Sequence, residues 1–255
     1  MRHPILILTI LSSLFFKNTA ATPFDLTKYK TIHHQLEDVM EIIDSQLLLQ
    51  KLSDVESQYL RDSSLIHQVR LGIIYHEVAL NLSFLNSSQY SGYAQKSFDQ
   101  LSAALNTPDL TPEIKPFIVS YRASALSLIS AETQKIKYLN QAFNLLDQAV
   151  KEYAEVCYLP EFLRGSISEN LPGIFFCKRR HAKRDMQSII TKYNHNPEYA
   201  SPKIMSFTYW SWANQNQGKR HRELSLKYLD KAIALDPNYE GGRQRAEELK
   251  AQLSQ

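Results

Sequence analysis

Apolar side chains recur along the chain at intervals of three and four, and no stretch alternates in steps of two for long. A three-and-four rhythm puts those side chains on one side of a helix, whereas a half-buried strand needs a rhythm of two. Leu36, Val39, Met40, Ile43 and Leu47 form one such stripe, and Leu48, Leu52, Val55 and Tyr59 form a second. Together they predict helix over 24–61 with a bend near Ser45, ended by a turn and cap at Asp62-Ser63-Ser64. The same rhythm predicts a helix over 67–85, a loop over 86–92, and a short helix over 160–170. The breaks fall where helices are hardest to continue: Pro108 and Pro112, Leu171-Pro172-Gly173, Asn196-Pro197, Gly218, and Asp236-Pro237. With only 7 Gly in 255 residues and no Asn-Gly or Asp-Gly hairpin signal, the chain reads as all-α.

Four of the predicted helices share one layout. It reads Ala94-x3-Phe98-x2-Leu101, Ala142-x3-Leu146-x2-Ala149, Ala182-x3-Met186-x2-Ile189 and Ser225-x3-Leu229-x2-Ala232. The leading small residues lie 48, 40 and 43 positions apart. Before the first of them stands Leu71-Gly72-x2-Tyr75, and after the last comes the Asp236-Pro237 stop. This resembles the tetratricopeptide repeat, whose first helix carries L-G-x2-Y and whose second carries A-x3-F before a proline, at a period of roughly 34 residues. Gln68 stands where the family's first helix carries Trp. The resemblance implies a right-handed α-α superhelix of helical hairpins over 66–240, preceded by helices over 22–65 and closed by a polar capping helix over 241–255.

In that family the first helices line an inner groove. With Ala213 at the small-residue position, the resemblance places Phe207, Trp210, Asn214 and Gln217 there, and Val69, Ile73, His76, Arg122 and Leu126 from the earlier helices. His76, Arg122, Trp210 and Asn214 are the groove's candidate partner-binding residues. Only Asn214 fits the family's carboxylate-clamp set, which argues against recognition of C-terminal carboxylates.

The start of the chain changes the reading of charge. Arg2, the uncharged and mostly apolar run 5–16, and Thr19-Ala20-Ala21 have the form of an export signal over 1–21. Twelve apolar residues are too few to span a bilayer as a transmembrane helix, and the alternative to cleavage is a segment retained as an anchor. The implied destination is the periplasm or the outside of the cell. That segment holds Arg2 and Lys17 and no acid, so its loss lowers the formal charge from +3 to about +1. The basic pI of 8.7 is therefore no argument for nucleic acid. Cys157 and Cys177 flank the 160–170 helix, roughly 16 Å long, which argues against a disulfide between them. Asn81-Leu82-Ser83 and Asn86-Ser87-Ser88 fit the glycosylation pattern, which matters only in a eukaryotic source.

No H-E-x-x-H, G-x-S-x-G, P-loop or G-x-G-x-x-G occurs, and two cysteines without spaced histidines do not make a zinc site. The expectation is a non-catalytic module with neither cofactor nor metal that binds a protein partner. The alternatives are an exported carrier enclosing a small ligand or lipid, and a hydrolase with a site of scattered residues. One feature resists a structural explanation. Lys178, Arg179, Arg180, Lys183 and Arg184 open one second helix, Lys219, Arg220 and Arg222 open the next, and Lys135 and Lys137 open the one before. Positive charge at a helix N-terminus opposes the macrodipole. In a stack of hairpins these starts share one edge, suited to an acidic protein or an anionic membrane surface.

Overall fold

A computed structural model describes residues 24–82, 87–238 and 241–254, and among these every regular element is helical. The export segment 1–21, Leu85, Ser83 and Asn86 lie outside the described residues. The helices are α1 Leu26–Leu36, α2 Ser45–Arg61, α3 Leu65–Asn81, the single turn α4 Ser87–Tyr90, α5 Tyr93–Ala104, α6 Lys115–Thr133 and α7 Ile136–Tyr153. They continue with α8 Leu159–Asn170, α9 Phe176–His195, α10 Pro202–Asn214, α11 Arg222–Leu235 and α12 Arg243–Leu253. Proline stands in the first turn of α6, α8 and α10, where its missing N–H costs nothing. As expected, α11 ends one residue before Asp236-Pro237.

Helices pair in sequence: α3 with α5, α6 with α7, α8 with α9, and α10 with α11. Each pair also packs on the next through α5 and α6, α7 and α8, and α9 and α10. The first helices α3, α6 and α8 touch in succession, while α2 covers α3 and α12 covers α10 and α11. The four leading small residues Ala94, Ala142, Ala182 and Ser225 are all buried, as their shared spacing predicts. Gly72 shows why size matters at such contacts. A Cβ there would lie 2.6 Å from Leu101 of α5, and Ser97 Oγ donates to the Gly72 carbonyl at 2.7 Å. At the other end Ser206 Oγ of α10 donates to the Ala232 carbonyl of α11 at 2.8 Å.

The N-terminal region departs from its sequence pattern. The expected helix over 24–61 is broken: a 3-10 turn over Glu37–Val39 follows α1, Met40 is extended, and Glu41 has φ 55° before α2 begins. The stripe through Leu36, Val39, Met40, Ile43 and Leu47 therefore belongs to no single helix. Leu36, Val39 and Met40 are buried, while Ile43 and Leu47 are exposed at 41% and 50%. Two aspartates explain where the helices restart. Asp25 accepts the Thr27 and Lys28 amides, and Asp44 accepts the Leu47 amide at 2.7 Å, each satisfying donors that an uncapped helix leaves orphaned. The expected helix over 67–85 runs instead over Leu65–Asn81, and the Asn86–Gly92 loop contains the turn α4. Cys157 is buried and Cys177 exposed, both free thiols.

Candidate functional site

Residues 25–44 lie against α3 and α10 and against the residues that begin α6 and α8, and the side of the first helices that they meet is their inner face. The Asp25 amide donates to Glu113, just before α6, at 3.1 Å. Tyr29 stacks on Phe117 of α6, ring centres 5.3 Å apart. His33 Nε2 lies 3.1 Å from the Tyr158 hydroxyl at the start of α8. Arg70 of α3 grips both oxygens of Asp38, and Asn81 donates to the Ile42 carbonyl at 3.2 Å. Lys203 Nζ of α10 donates to the Met40 carbonyl at 2.7 Å, and Lys30 pairs with Glu198.

Glu41 stands within this cover, beside a small recess of about 20 Å³ that it lines with His33, Tyr158 and Lys203. Burial pushes its carboxyl up to about 8, and the charge of Glu77 adds to the shift, against an opposing pull from Lys203, Tyr121 and Arg245. Burial likewise holds the Tyr121 hydroxyl well above its ordinary value. Next to it His76 Nε2 lies 2.7 Å from Ser124 Oγ, and His76 Nδ1 lies 3.2 Å from Glu77 Oε1.

A hydroxyl, an imidazole and a carboxylate in series is the contact order of a nucleophile relay. Here it lacks the rest of the apparatus. Ser124 sits mid-way along α6, where backbone amides are committed to the helix, and it is 3% exposed. His76 and Glu77 are as deeply buried. The trio reads as a polar network tying α3 to α6.

The four groove candidates are not brought together. His76 is interior. Arg122 turns to α5, its Nε donating to Ser102 Oγ at 2.7 Å and its guanidinium lying 4.6 Å from the Phe98 ring centre. Trp210 lies against Phe207 and under Arg245 of α12, and Asn214 donates to Glu169 of α8 at 2.8 Å. Of the other inner-face expectations, Val69, Ile73 and Leu126 are core residues and Gln217 is exposed.

The basic helix starts have a different environment. Arg179, Arg180, Lys183, Lys219, Arg220 and Arg222 are exposed and form no ion pair among the described residues. Lys178 lies over the Phe143 ring of α7 at 4.5 Å. Arg184 touches His181 and reaches Asp185 at 3.4 Å. The two clusters are linked through Trp212 of α10, whose Nε1–H donates to Gln187 of α9 at 2.7 Å and whose ring meets His221 edge-on.

Beneath the α9 cluster lies an ion-pair network that sequence reasoning missed. Arg164 of α8 is 4% exposed and donates twice to Asp185 of α9, at 2.7 and 2.8 Å, and once to Asp147 of α7 at 2.7 Å. These paired bonds to the two aspartates outweigh burial and raise the guanidinium's pKa. The available signal was Asp185 itself, an acid on the otherwise apolar side of a helix crowded with lysine and arginine.

Among the described residues the structure is thus an all-helical array of packed helix pairs, with residues 25–44 lying against the first helices and exposed lysines and arginines near the starts of α9 and α11. Family models, curated proteins and solved structures were all compared with the chain, and none matches it.

Proposed function

We propose that the chain is an exported, non-catalytic interaction module, a right-handed superhelix of tetratricopeptide-like hairpins that takes an anionic partner along the edge of second-helix starts. One observation carries this reading. Six lysines and arginines stand exposed and form no ion pair among the described residues: Arg179, Arg180 and Lys183 in the first two turns of α9, Lys219 and Arg220 in the 3-10 turn before α11, and Arg222 at its first residue, where the helix dipole disfavours it most. Stability of the fold does not account for them; attraction of an anionic partner does.

The four buried small residues at equivalent places support the repeat architecture, since a repeat needs a small residue where paired helices close on each other. The recess beside Glu41 gives the carrier alternative little support, because its cavity volume of about 20 Å³ is far below the range of roughly 300–1,000 Å³ common for small-molecule pockets. The test is binding of the protein to soluble polyglutamate across a salt series. The parent binds at low salt and releases as salt rises, while R179Q/R180Q/R220Q/R222Q binds weakly with a flattened salt dependence. Equal binding by the two proteins overturns the assignment of the edge.

A further inference from the structure

The start of α9 carries more than charge. After Leu171-Pro172 the chain makes a 3-10 turn over Gly173–Phe175 and enters α9, leaving Ile174 78% and Phe176 68% exposed. Within α9, Phe176, Arg179, Arg180 and Lys183 follow one another at three, one and three residues, which puts them on one outward stripe. Ala182 and Asp185, on the other side of the helix, are buried. The neighbouring basic starts repeat the combination: Ile136, between Lys135 and Lys137, is 54% exposed, and Leu224, two residues after Arg222, is 38% exposed. Leu60 is more exposed still, at 86%, but stands at the end of α2 away from any such cluster.

Two large apolar side chains protruding from a turn, backed by a stripe of flexible cations, fit a partner that is anionic at its surface and apolar just beneath. Lysine and arginine can hold their charge among phosphates while their stems and the adjoining apolar side chains enter the acyl boundary. A folded acidic protein would have to supply a pocket shaped to this tip, whereas a bilayer accepts a convex tip of any shape. We propose that the start of α9 docks on the surface of an anionic phospholipid bilayer, with Ile174 and Phe176 entering the interface and Arg179, Arg180 and Lys183 lying against lipid phosphates. This rests on the reading of the basic edge as the functional surface and names its partner.

The protein supplies its own reporter site. Cys177 is exposed and adjoins Phe176, while Cys157 is fully buried, so a polarity-sensitive thiol dye reacts at Cys177 on the folded chain. The full-length labelled protein is mixed with phosphatidylcholine vesicles, with vesicles also containing phosphatidylglycerol, and with soluble polyglutamate. A blue shift is expected with the anionic vesicles alone. R179Q/R180Q/K183Q should weaken vesicle binding by about a hundredfold, from three basic contacts near the surface. I174S/F176S should abolish the blue shift and keep polyglutamate binding. All substituted residues are exposed, and unchanged circular dichroism confirms the fold of each variant. Polyglutamate binding without any blue shift on anionic vesicles overturns the bilayer and leaves the edge standing. Binding to neither overturns both, and a blue shift retained by I174S/F176S removes the assigned role of the apolar tip.

Discussion

The inner face and the outer edge of the helix pairs treat charge in opposite ways. On the inner side the basic groups and the imidazole meet partners from the same chain: Lys203 finds a carbonyl, Arg70 an aspartate, and His76 a hydroxyl and a carboxylate. On the outer edge Arg179, Arg180, Lys183, Lys219, Arg220 and Arg222 meet solvent. The contrast separates charge that builds the fold from charge left over for something else. Arg164 and Arg180 are the same residue type on adjoining helices, yet one is clamped by two aspartates and the other is free.

The contrast breaks most sharply at Arg164. Arg164→Ala leaves the buried Asp185 with only the 3.4 Å contact from the exposed Arg184, and should cost about 3–5 kcal/mol in urea unfolding. A loss below 1 kcal/mol would mean that water replaces the guanidinium and that the inner pairing is dispensable. A smaller effect is expected at Ala232, fully buried with its carbonyl held by Ser206. Ala232→Arg should cost more than about 1 kcal/mol, because bulk and charge enter a closed helix contact. Coincident unfolding curves would show the last helix pair to be in a different register.

Glu41 offers a pH readout of the cover. An acid whose pKa is raised on folding is protonated in the folded state while the unfolded chain has already released its proton. Stability from that group is full below the ordinary carboxylate range and is lost as pH rises toward about 8. The melting temperature should therefore fall between pH 5 and 8, and Glu41→Gln should flatten that fall. A parent and variant with parallel pH profiles would place Glu41 in water. The smallest effect belongs to the edge: R179Q/R180Q/R220Q/R222Q should change stability by less than about 0.5 kcal/mol. A larger loss, measured in the same urea assay, would show these arginines to be structural.

The small-residue anchors were legible because a close helix contact selects residue size at a fixed spacing, and Ala94, Ala142, Ala182 and Ser225 all keep it. The exposure of Arg179, Arg180, Lys183, Lys219, Arg220 and Arg222 was legible for a related reason: exposed charge leaves its mark in residue type alone. The covering of the inner face was not. Its bonds join residues as distant as Asp25 and Glu113, or Met40 and Lys203, and several use backbone carbonyls that any residue would offer. The break at Glu41 was hidden as well, since a three-and-four spacing of apolar residues continues across it, and positive φ at a glutamate leaves no sequence signal. His76, Arg122, Trp210 and Asn214 were selected by register on one face, but each side chain took the nearest partner on a different helix.

The cover over the inner face also sets an order of events in time. Residues 25–44 are made early, yet Lys30 and Met40 are held by Glu198 and Lys203, about 160 residues later. At roughly 5–20 residues per second, ribosomal synthesis separates the two halves of those contacts by on the order of ten seconds. During that interval Tyr29 can already meet Phe117 and Asp38 can meet Arg70, while the Met40 carbonyl still lacks Lys203. The contacts of Lys30 and Met40 with Glu198 and Lys203 thus close a loop of about 160 residues, and they form only once α10 is in place.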